Sequence, residues 1–345
     1  MVGVGKNLSM AKSSLFRAKR GASSHLPPFD QFEGMLGVSL PMLEVFQQIT
    51  DAASADVPVL ITGETGTGKD LVAEAIHNRS HRKDKPLVAV NMGAMPAELI
   101  ASELFGHERG AYTHAVTSRM GRFEEANGGT IFLDEISTMD EKSQVFLLRV
   151  LETKTFRRVG GEKDIHVDVR VIGATNENLE AAVKQRRFRE DLYYRFDVFR
   201  VNLPPLRDRP GGLKVLSDYF LLHFNKMYKK KLRSVSLETF RCLENYSWPG
   251  NVRELKNVVQ RAVLVAEGHE LTPDLLPARI RGSGEPDADS KFAHFPIRVG
   301  MTLEAVEKEF LAMTLRSVSG NKRKTAGILG ISRRTLYDKL KRHGL

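Results

Sequence analysis

The sequence predicts an α/β fold built on a parallel five-stranded sheet, followed by a small helical domain and a basic, all-helical C-terminus. Three observations carry this. Apolar, β-branched runs alternate with amphipathic helical patterns from Val57 to Leu203. After "LPPLRDRP" the strand-like runs stop and only helical patterns follow. From Ser319 to Leu345 eight Lys or Arg stand against one acid, Asp338.

The elements follow in order. "VPVLITGE" is β-branched and bounded like a buried strand. "KDLVAEAIHNRS" reads as a helix with Leu71, Val72, Ala75 and Ile76 on one side. "PLVAVNM" and "PAELIASELFG" supply a second strand and helix, "GTIFLDEI" and "DEKSQVFLLRVLE" a third pair. Thr138 and Glu141 have the spacing of a capping box for that third helix. "VRVIGATN" and "VFRVNL" add strands four and five. Such alternation implies a parallel sheet covered on both faces. "GLKVLSDYFLLHFNKMY", "LETFRCLENYS" and "NVRELKNVVQRAVLVAE" make the helical domain, and "RGSGEPDADSKF" has a linker's composition. The divisions expected are a basic tail over 1–33, the α/β domain over 34–204, the helical domain over 205–280, a linker over 281–300 and a C-terminal helical domain over 301–345.

The 345 residues, 41% hydrophobic and 27% charged, allow two or three domains with a sizeable core. No apolar run is long enough to span a bilayer. The start, "MVGVGKNLSMAKSSLFRAKR", lacks the apolar middle of a signal peptide. It reads as a flexible basic tail, although a transit peptide shares its bias. Cys242 is the single cysteine, so no internal disulfide can form, which fits a reducing cytoplasm. The C-terminal charge attracts phosphate backbones; a solvated helix face carries the same charge.

"GETGTGKD" runs through Gly63, Glu64, Thr65, Gly66, Thr67, Gly68, Lys69 and Asp70, between a strand and a helix. This is the context of a P-loop. Glycines let backbone N–H groups wrap a phosphate, the helix N-terminus adds partial positive charge, and Lys69 reaches the outer phosphates. Position 70 is Asp where the general motif has a hydroxyl for Mg²⁺. "IFLDE" places two acids at the end of a buried strand. Asp134 can hold Mg²⁺ through water and Glu135 can orient an attacking water, which argues for nucleotide hydrolysis. Asn176, closing "ATN", either senses a γ-phosphate or closes a turn.

These pieces, in this order, resemble the AAA+ ATPase domain of bacterial enhancer-binding proteins, the activators that remodel RNA polymerase carrying sigma-54. "ELFGHERGAYTHA", "GGTIFLDEI", "FREDLYYR", "LPPLRDR" and "WPGNVREL" carry the resemblance, which runs from about Glu33 to the C-terminus. It implies ATP and Mg²⁺ as ligands and a ring, usually a hexamer. It also implies roles that spacing does not show. Asn91 matches a switch residue that pairs with the catalytic Glu. Arg189 and Arg195 match arginine fingers that enter a neighbour's site, and Arg253 matches the lid's sensor arginine. A solvated basic face remains the alternative for the two fingers, and bracing of a helix start the alternative for Arg253.

"GAYTHA" (Gly110, Ala111, Tyr112, Thr113, His114, Ala115) reads as a loop. It looks like the family's sigma-contacting insertion, whose signature ends Gly-Ala-Phe-Thr-Gly-Ala. Tyr112 for Phe keeps the ring, whereas His114 for Gly puts sigma-54 engagement in question. A zinc reading of His107-Glu108 fails because position 111 is Ala.

The C-terminus resembles a Fis-type helix-turn-helix, with "NKRKTAGILG" as first helix and "SRRTLYDKLKRHG" as recognition helix. Ser332, Arg333, Arg334 and Thr335 are placed for base edges, and Lys322, Arg323 and Lys339 join the DNA-facing set. Tyr337 and Leu340 are expected to pack inward. Dimeric readers imply a palindromic upstream site. The reading is an ATP-driven activator of sigma-54 RNA polymerase holoenzyme. The alternative is a DNA-bound ATPase that acts without engaging sigma-54; a P-loop kinase is disfavoured. About 33 residues precede the ATPase, too few for a receiver or sensory domain. Control therefore falls to a regulatory protein in trans or to a region outside this chain.

Overall fold

The computed structural model describes residues 31–111, 117–282, 302–317 and 321–343. The chain divides into two units, Met1–Arg281 and Gly282–Leu345. The described residues of the first open with a hairpin of β1 (Gln31–Phe32) and β2 (Met35–Leu36). Phe32 is buried and stacks on Phe46, ring centres 4.6 Å apart, so the fold, from Gln31 on, reaches three residues into the stretch read as tail. Then come α1 (Leu40–Ser54), β3 (Val59–Thr62), α2 (Lys69–Asn78), β4 (Leu87–Asn91), α3 (Ala97–Phe105), α4 (Arg122–Glu125), β5 (Thr130–Asp134) and α5 (Glu141–Thr153).

After α5 the chain forms an antiparallel hairpin, β6 (Thr155–Arg157) and β7 (Asp164–His166), before β8 (Arg170–Thr175). The hairpin was invisible in the sequence: each strand has three residues, mostly polar, and neither alternates for long enough to register. The first half closes with α6 (Leu179–Lys184), α7 (Glu190–Phe196) and β9 (Arg200–Asn202).

The five strands lie in the order β4-β5-β8-β3-β9, all parallel. Side chains alternate between the faces: Ile131 and Leu133 enter one core with Leu104, Phe105 and Leu147, while Phe132 enters the other with Phe46, Ile61 and Ile76. The P-loop leaves the carboxyl end of β3, near the middle of the sheet, where such sheets form their crevices.

Two local expectations are corrected. Leu71 is 38% exposed and lines a cavity; Val72, Ala75 and Ile76 alone of that set are buried. Thr138 does not cap α5. A short 3-10 turn from Ile136 to Thr138 intervenes, and Asp140 becomes the cap, accepting from Ser143 N at 3.1 Å. Thr138 Oγ1 donates instead to Glu135 O (2.8 Å).

The helical part comprises α8 (Gly212–Tyr228), β10 (Ser234–Val235), α9 (Leu237–Asn245), α10 (Asn251–Val265), β11 (Glu270–Leu271) and α11 (Ala278–Arg281). Its core gathers Phe220, Phe224, Trp248, Leu255 and Val259.

The second unit holds α12 (Leu303–Ser317), α13 (Lys322–Ile328) and α14 (Arg333–His343) around a small core of Leu311, Ala326, Leu336 and Leu340. Gly330 takes φ +64° in the turn before α14. Tyr337 does not pack inward with Leu340: it is 54% exposed, with Lys322 Nζ 4.7 Å from its ring centre. Three residues is less than one helical turn, which leaves Leu336 and Leu340 on the buried stripe and Tyr337 off it. No helix among the described residues is long and apolar enough to cross a membrane.

Candidate nucleotide site

The P-loop is built from local backbone freedom. Gly66 and Gly68 take φ +80° and +101°, which turns the chain tightly into α2 at Lys69. Lys69 is buried, and its Nζ donates to Gly63 O (2.9 Å) and Glu64 O (3.3 Å), folded along the loop. Thr67 is buried and its hydroxyl donates to Glu64 O (2.7 Å). Asn176 Nδ2 donates to Thr65 Oγ1 (3.0 Å), so the fourth sheet strand touches the loop's tip.

Around a cavity of about 340 Å³ the fold collects Thr65, Lys69, Asn91, Asp134, Glu135 and Arg253, with Asp70 also on its wall. Burial pushes the Lys69 ammonium down and the Asp134 carboxyl up from their ordinary values, each partly offset by the other's charge. Asn91 Nδ2 reaches Asp134 Oδ2 (3.4 Å), while its Oδ1 accepts from Ala94 N (3.2 Å). In this structure Asn91 thus pairs with Asp134, directly across from it in the β4–β5 register, beside the Glu135 with which its pairing was expected. Glu135 itself has φ +60°, a strained left-handed backbone for a residue with a side chain. Its Oε2 lies where a Cβ on Gly93 would be, 1.6 Å from it.

A second cavity, about 320 Å³, adjoins the first through Gly66, Gly68, Asp70 and Arg253. Leu36, Met42, Leu203, Tyr219 and Phe220 give it an apolar wall, and Arg209 a cationic one. Arg209 is buried, donates to Pro204 O and Thr67 O, and is pushed down to about 10 by burial. Sequence reasoning missed this cavity because its walls come from four distant stretches, 34–42, 66–71, 203–220 and 252–256, whose meeting no local pattern announces. Glu64, expected among the ligand-binding residues, turns its carboxylate to Arg207 and Asn251 instead.

The two candidate finger residues line neither of these cavities. Arg189 is held in a fork by Asp191 (3.0 and 2.7 Å) beside a separate basic pocket. Arg195 is held by Glu152 (2.8 and 3.2 Å).

Comparison with known proteins decides the family. The sigma-54 interaction domain matches residues 35–202, an AAA+ ATPase lid domain residues 207–292, and the Fis family of bacterial regulatory proteins residues 302–343. The regulatory protein ZraR of Klebsiella oxytoca is 44% identical over 315 residues, 91% of this chain and 70% of its own. The regulatory protein AtoC of Escherichia coli is 42% identical over 316 residues, 91% of this chain and 68% of its own. The chain belongs to the sigma-54 activator family.

Not every relative is matched over so much of its length: the chain spans 57% of the nitrogen fixation protein AnfA of Azotobacter vinelandii, at 42% identity. The crystal structure of NtrX from Brucella abortus in complex with ADP superposes with a TM-score of 0.68 at 36% identity, covering 90% of this chain and 70% of that one. Its counterpart in complex with ATP gives the same TM-score at 33% identity and covers 99% of this chain and 73% of that one. The fold is thus that of an AAA+ P-loop domain with helical lid and Fis-type helix-turn-helix.

In this member of the family the "GAYTHA" stretch is described only at Gly110, which takes φ +86°, and Ala111; Tyr112, Thr113, His114 and Ala115 lie outside the described residues. The stem of the loop is well tied. Arg158, next to the β6–β7 hairpin, donates to Glu124 (3.0 and 2.9 Å), Glu108 (3.0 Å) and Ser118 (3.1 Å). His107 is buried with its Nδ1 2.8 Å from Ser102 Oγ, which makes it a stem residue.

In the Fis-type unit, Ser332 caps α14, its Oγ accepting from Thr335 N (3.1 Å). Arg333, Arg334 and Thr335 are exposed at the helix start, and Lys322 and Arg323 at the start of α13. Lys339 departs from expectation. Glu307 of α12 takes its ammonium in an ion pair and also lies 3.1 Å from His343 Nε2, so its charge is spent on holding α12 to α14.

Proposed function

We propose that this chain hydrolyses ATP at the P-loop crevice, binds upstream DNA through its C-terminal unit, and assembles as a ring that remodels sigma-54 RNA polymerase. The observation that carries it is the convergence of Lys69, Asp134 and Glu135 on one cavity that shares the walls Gly66, Gly68, Asp70 and Arg253 with an apolar one. A nucleoside triphosphate needs both. Its base fits beside Leu36, Tyr219 and Phe220, and its phosphates beside the P-loop amides and Lys69. The likeness to NtrX, solved with ADP and with ATP, supports the ligand.

The chain's own groups divide the work. Lys69 leaves its carbonyl partners and takes up the outer phosphates. Glu135 orients a water for in-line attack, and Asp134 would hold Mg²⁺ through water, so that the ion rather than the carboxylate meets the developing negative charge. Mg²⁺, when bound, neutralises phosphate charge. Asp134, with Asp70 and Glu135 on the same wall, offers hard carboxylate oxygens, and one or two carboxylates with water and phosphate suffice for that ion. Arg189 and Arg195 point to no part of their own phosphate cavity and are read as fingers for a neighbour. Head-to-tail packing of that kind closes rings, with a hexamer as the expected size. Hydrolysis would then move the loop from Gly110 to Ala115 through its Arg158-tied stem.

His114, standing where the family signature has Gly, favours a second reading in which the chain assembles and hydrolyses ATP without engaging sigma-54. Open-complex formation on a supercoiled promoter with sigma-54 holoenzyme separates the two. ATP-dependent open complexes support the activator. Normal ATP turnover without them leaves the second reading.

A further inference from the structure

One buried amide joins the lid to the P-loop. Asn251, fully buried at the start of α10, donates from Nδ2 to Glu64 Oε2 and to Thr65 O, both at 3.1 Å. Its Oδ1 accepts from Leu206 N (2.8 Å) in the connection between the two parts. Arg207, in the same connection, grips the Glu64 carboxylate in a fork (2.9 and 2.5 Å). The hydrogen bonds from Arg207, then from Asn251, hold that carboxyl below its usual range.

The backbone is equally close. Arg253 N donates to Gly66 O (3.2 Å), and a Cβ on Gly66 would stand 2.3 Å from Gly250 O. The turn that delivers Asn251 is strained, with φ +53° at Trp248 and +50° at Asn251. Trp248 is locked by burial and by its Nε1 bond to Leu243 O (2.8 Å).

We propose that Asn251 and Glu64 are positioning residues that set the angle of the lid on the P-loop and so hold Arg253 over the phosphates. This rests on the nucleotide reading above. Arg253 lines both cavities and Asn251 neither, so Asn251 acts through the residue two positions on. Its amide bonds the P-loop and the connection while its backbone begins the lid helix. The lid cannot turn on the P-loop without breaking them. An amide is required because an acid would face the Glu64 carboxylate and the Thr65 carbonyl.

The test compares Asn251→Asp in the wild-type chain and in Arg253→Ala. The Asp side chain keeps the shape and the acceptor for Leu206 N, loses the donor, and sets a buried acid against the Glu64 carboxylate and the Thr65 carbonyl. Fluorescent mant-ADP binding and ATP turnover are read beside a thermal melt. The expected result is a rise of about tenfold in Kd and KM, with kcat at saturation within about threefold. In the Arg253→Ala background no further rise is expected. Glu64→Gln, at a partly exposed site that can be changed without threat to the core, should weaken binding by about threefold. Equal losses in both backgrounds, or unchanged binding in Glu64→Gln and Asn251→Asp, would overturn the inference. A wild-type chain that binds no mant-ADP would sink the nucleotide reading itself.

Discussion

Gly93 offers a way to move one carboxylate without touching the rest of the site. It lies in the short turn after β4, and a methyl group there would stand 1.6 Å from Glu135 Oε2. Carbon and oxygen settle at roughly 3.3 Å. In Gly93→Ala the carboxylate must therefore retreat by about 1.7 Å. The next atom is Glu135 Cδ at 2.7 Å, the same side chain, so the strain is relieved by rotating Glu135 rather than by opening the fold. Gly93 is also not among the glycines with positive φ, so alanine fits its backbone. A misplacement of about 1 Å in a catalytic geometry costs on the order of 100-fold, or about 2.7 kcal/mol of barrier. Phosphate release at saturating ATP should fall by that factor, while mant-ADP affinity and the melting temperature hold. Adding Glu135→Gln to Gly93→Ala should lower turnover little further. Turnover within threefold of wild type in Gly93→Ala would refute the placement of Glu135 beside the attacking water.

The remaining predictions concern other links. Arg195→Ala should keep ADP binding and lower turnover by about 10³-fold, measured by phosphate release, since its partner Glu152 lies outside the phosphate cavity. His114→Gly should leave ATP turnover unchanged and raise open-complex yield if the natural loop is impaired, read on a sigma-54 promoter. Arg82 is buried and bonds Asp56, Asp168 and the carbonyls of Gly129 and Asp168; Arg82→Ala should cost roughly 2–4 kcal/mol in urea melts. The same melts carry a pH signature. Burial raises the Asp56 pKa, but the bonds and charge of Arg82 outweigh it and leave the folded value below the ordinary 3.8. Its stabilising contribution is thus present above 3.8 and lost as pH falls through the folded value, and Arg82→Ala should lose that acid limb. In DNA titrations Arg334→Ala should weaken binding more than Lys339→Ala, whose ammonium is already paired with Glu307.

Much of this was legible in the sequence because the strands are short, apolar and bounded. Val59–Thr62, Thr130–Asp134 and Arg170–Thr175 are nearly all buried, and such runs announce themselves without periodicity. That the P-loop and the Asp134-Glu135 pair meet was legible for a different reason: local backbone and strand-end geometry bring Lys69, Asp134 and Glu135 to one cavity. What failed depends on tertiary position. Tyr337 reads as core until the buried stripe of α14 is fixed by Leu336 and Leu340. Lys339 reads as a phosphate contact until Glu307, 32 residues earlier, is seen beside it. The apolar cavity and the Asn251 junction join segments far apart in the chain, and Asn251 in "WPGN" carries no signal that its side chain faces Glu64.

The central claim is that the nucleotide site is completed by an adjoining subunit. The most direct measurement is ATP turnover per chain against protein concentration, with and without sigma-54. A cooperative rise that follows assembly, and vanishes in Arg195→Ala, is the predicted result. Turnover per chain that stays flat across the assembly range, or none at any concentration, would contradict it.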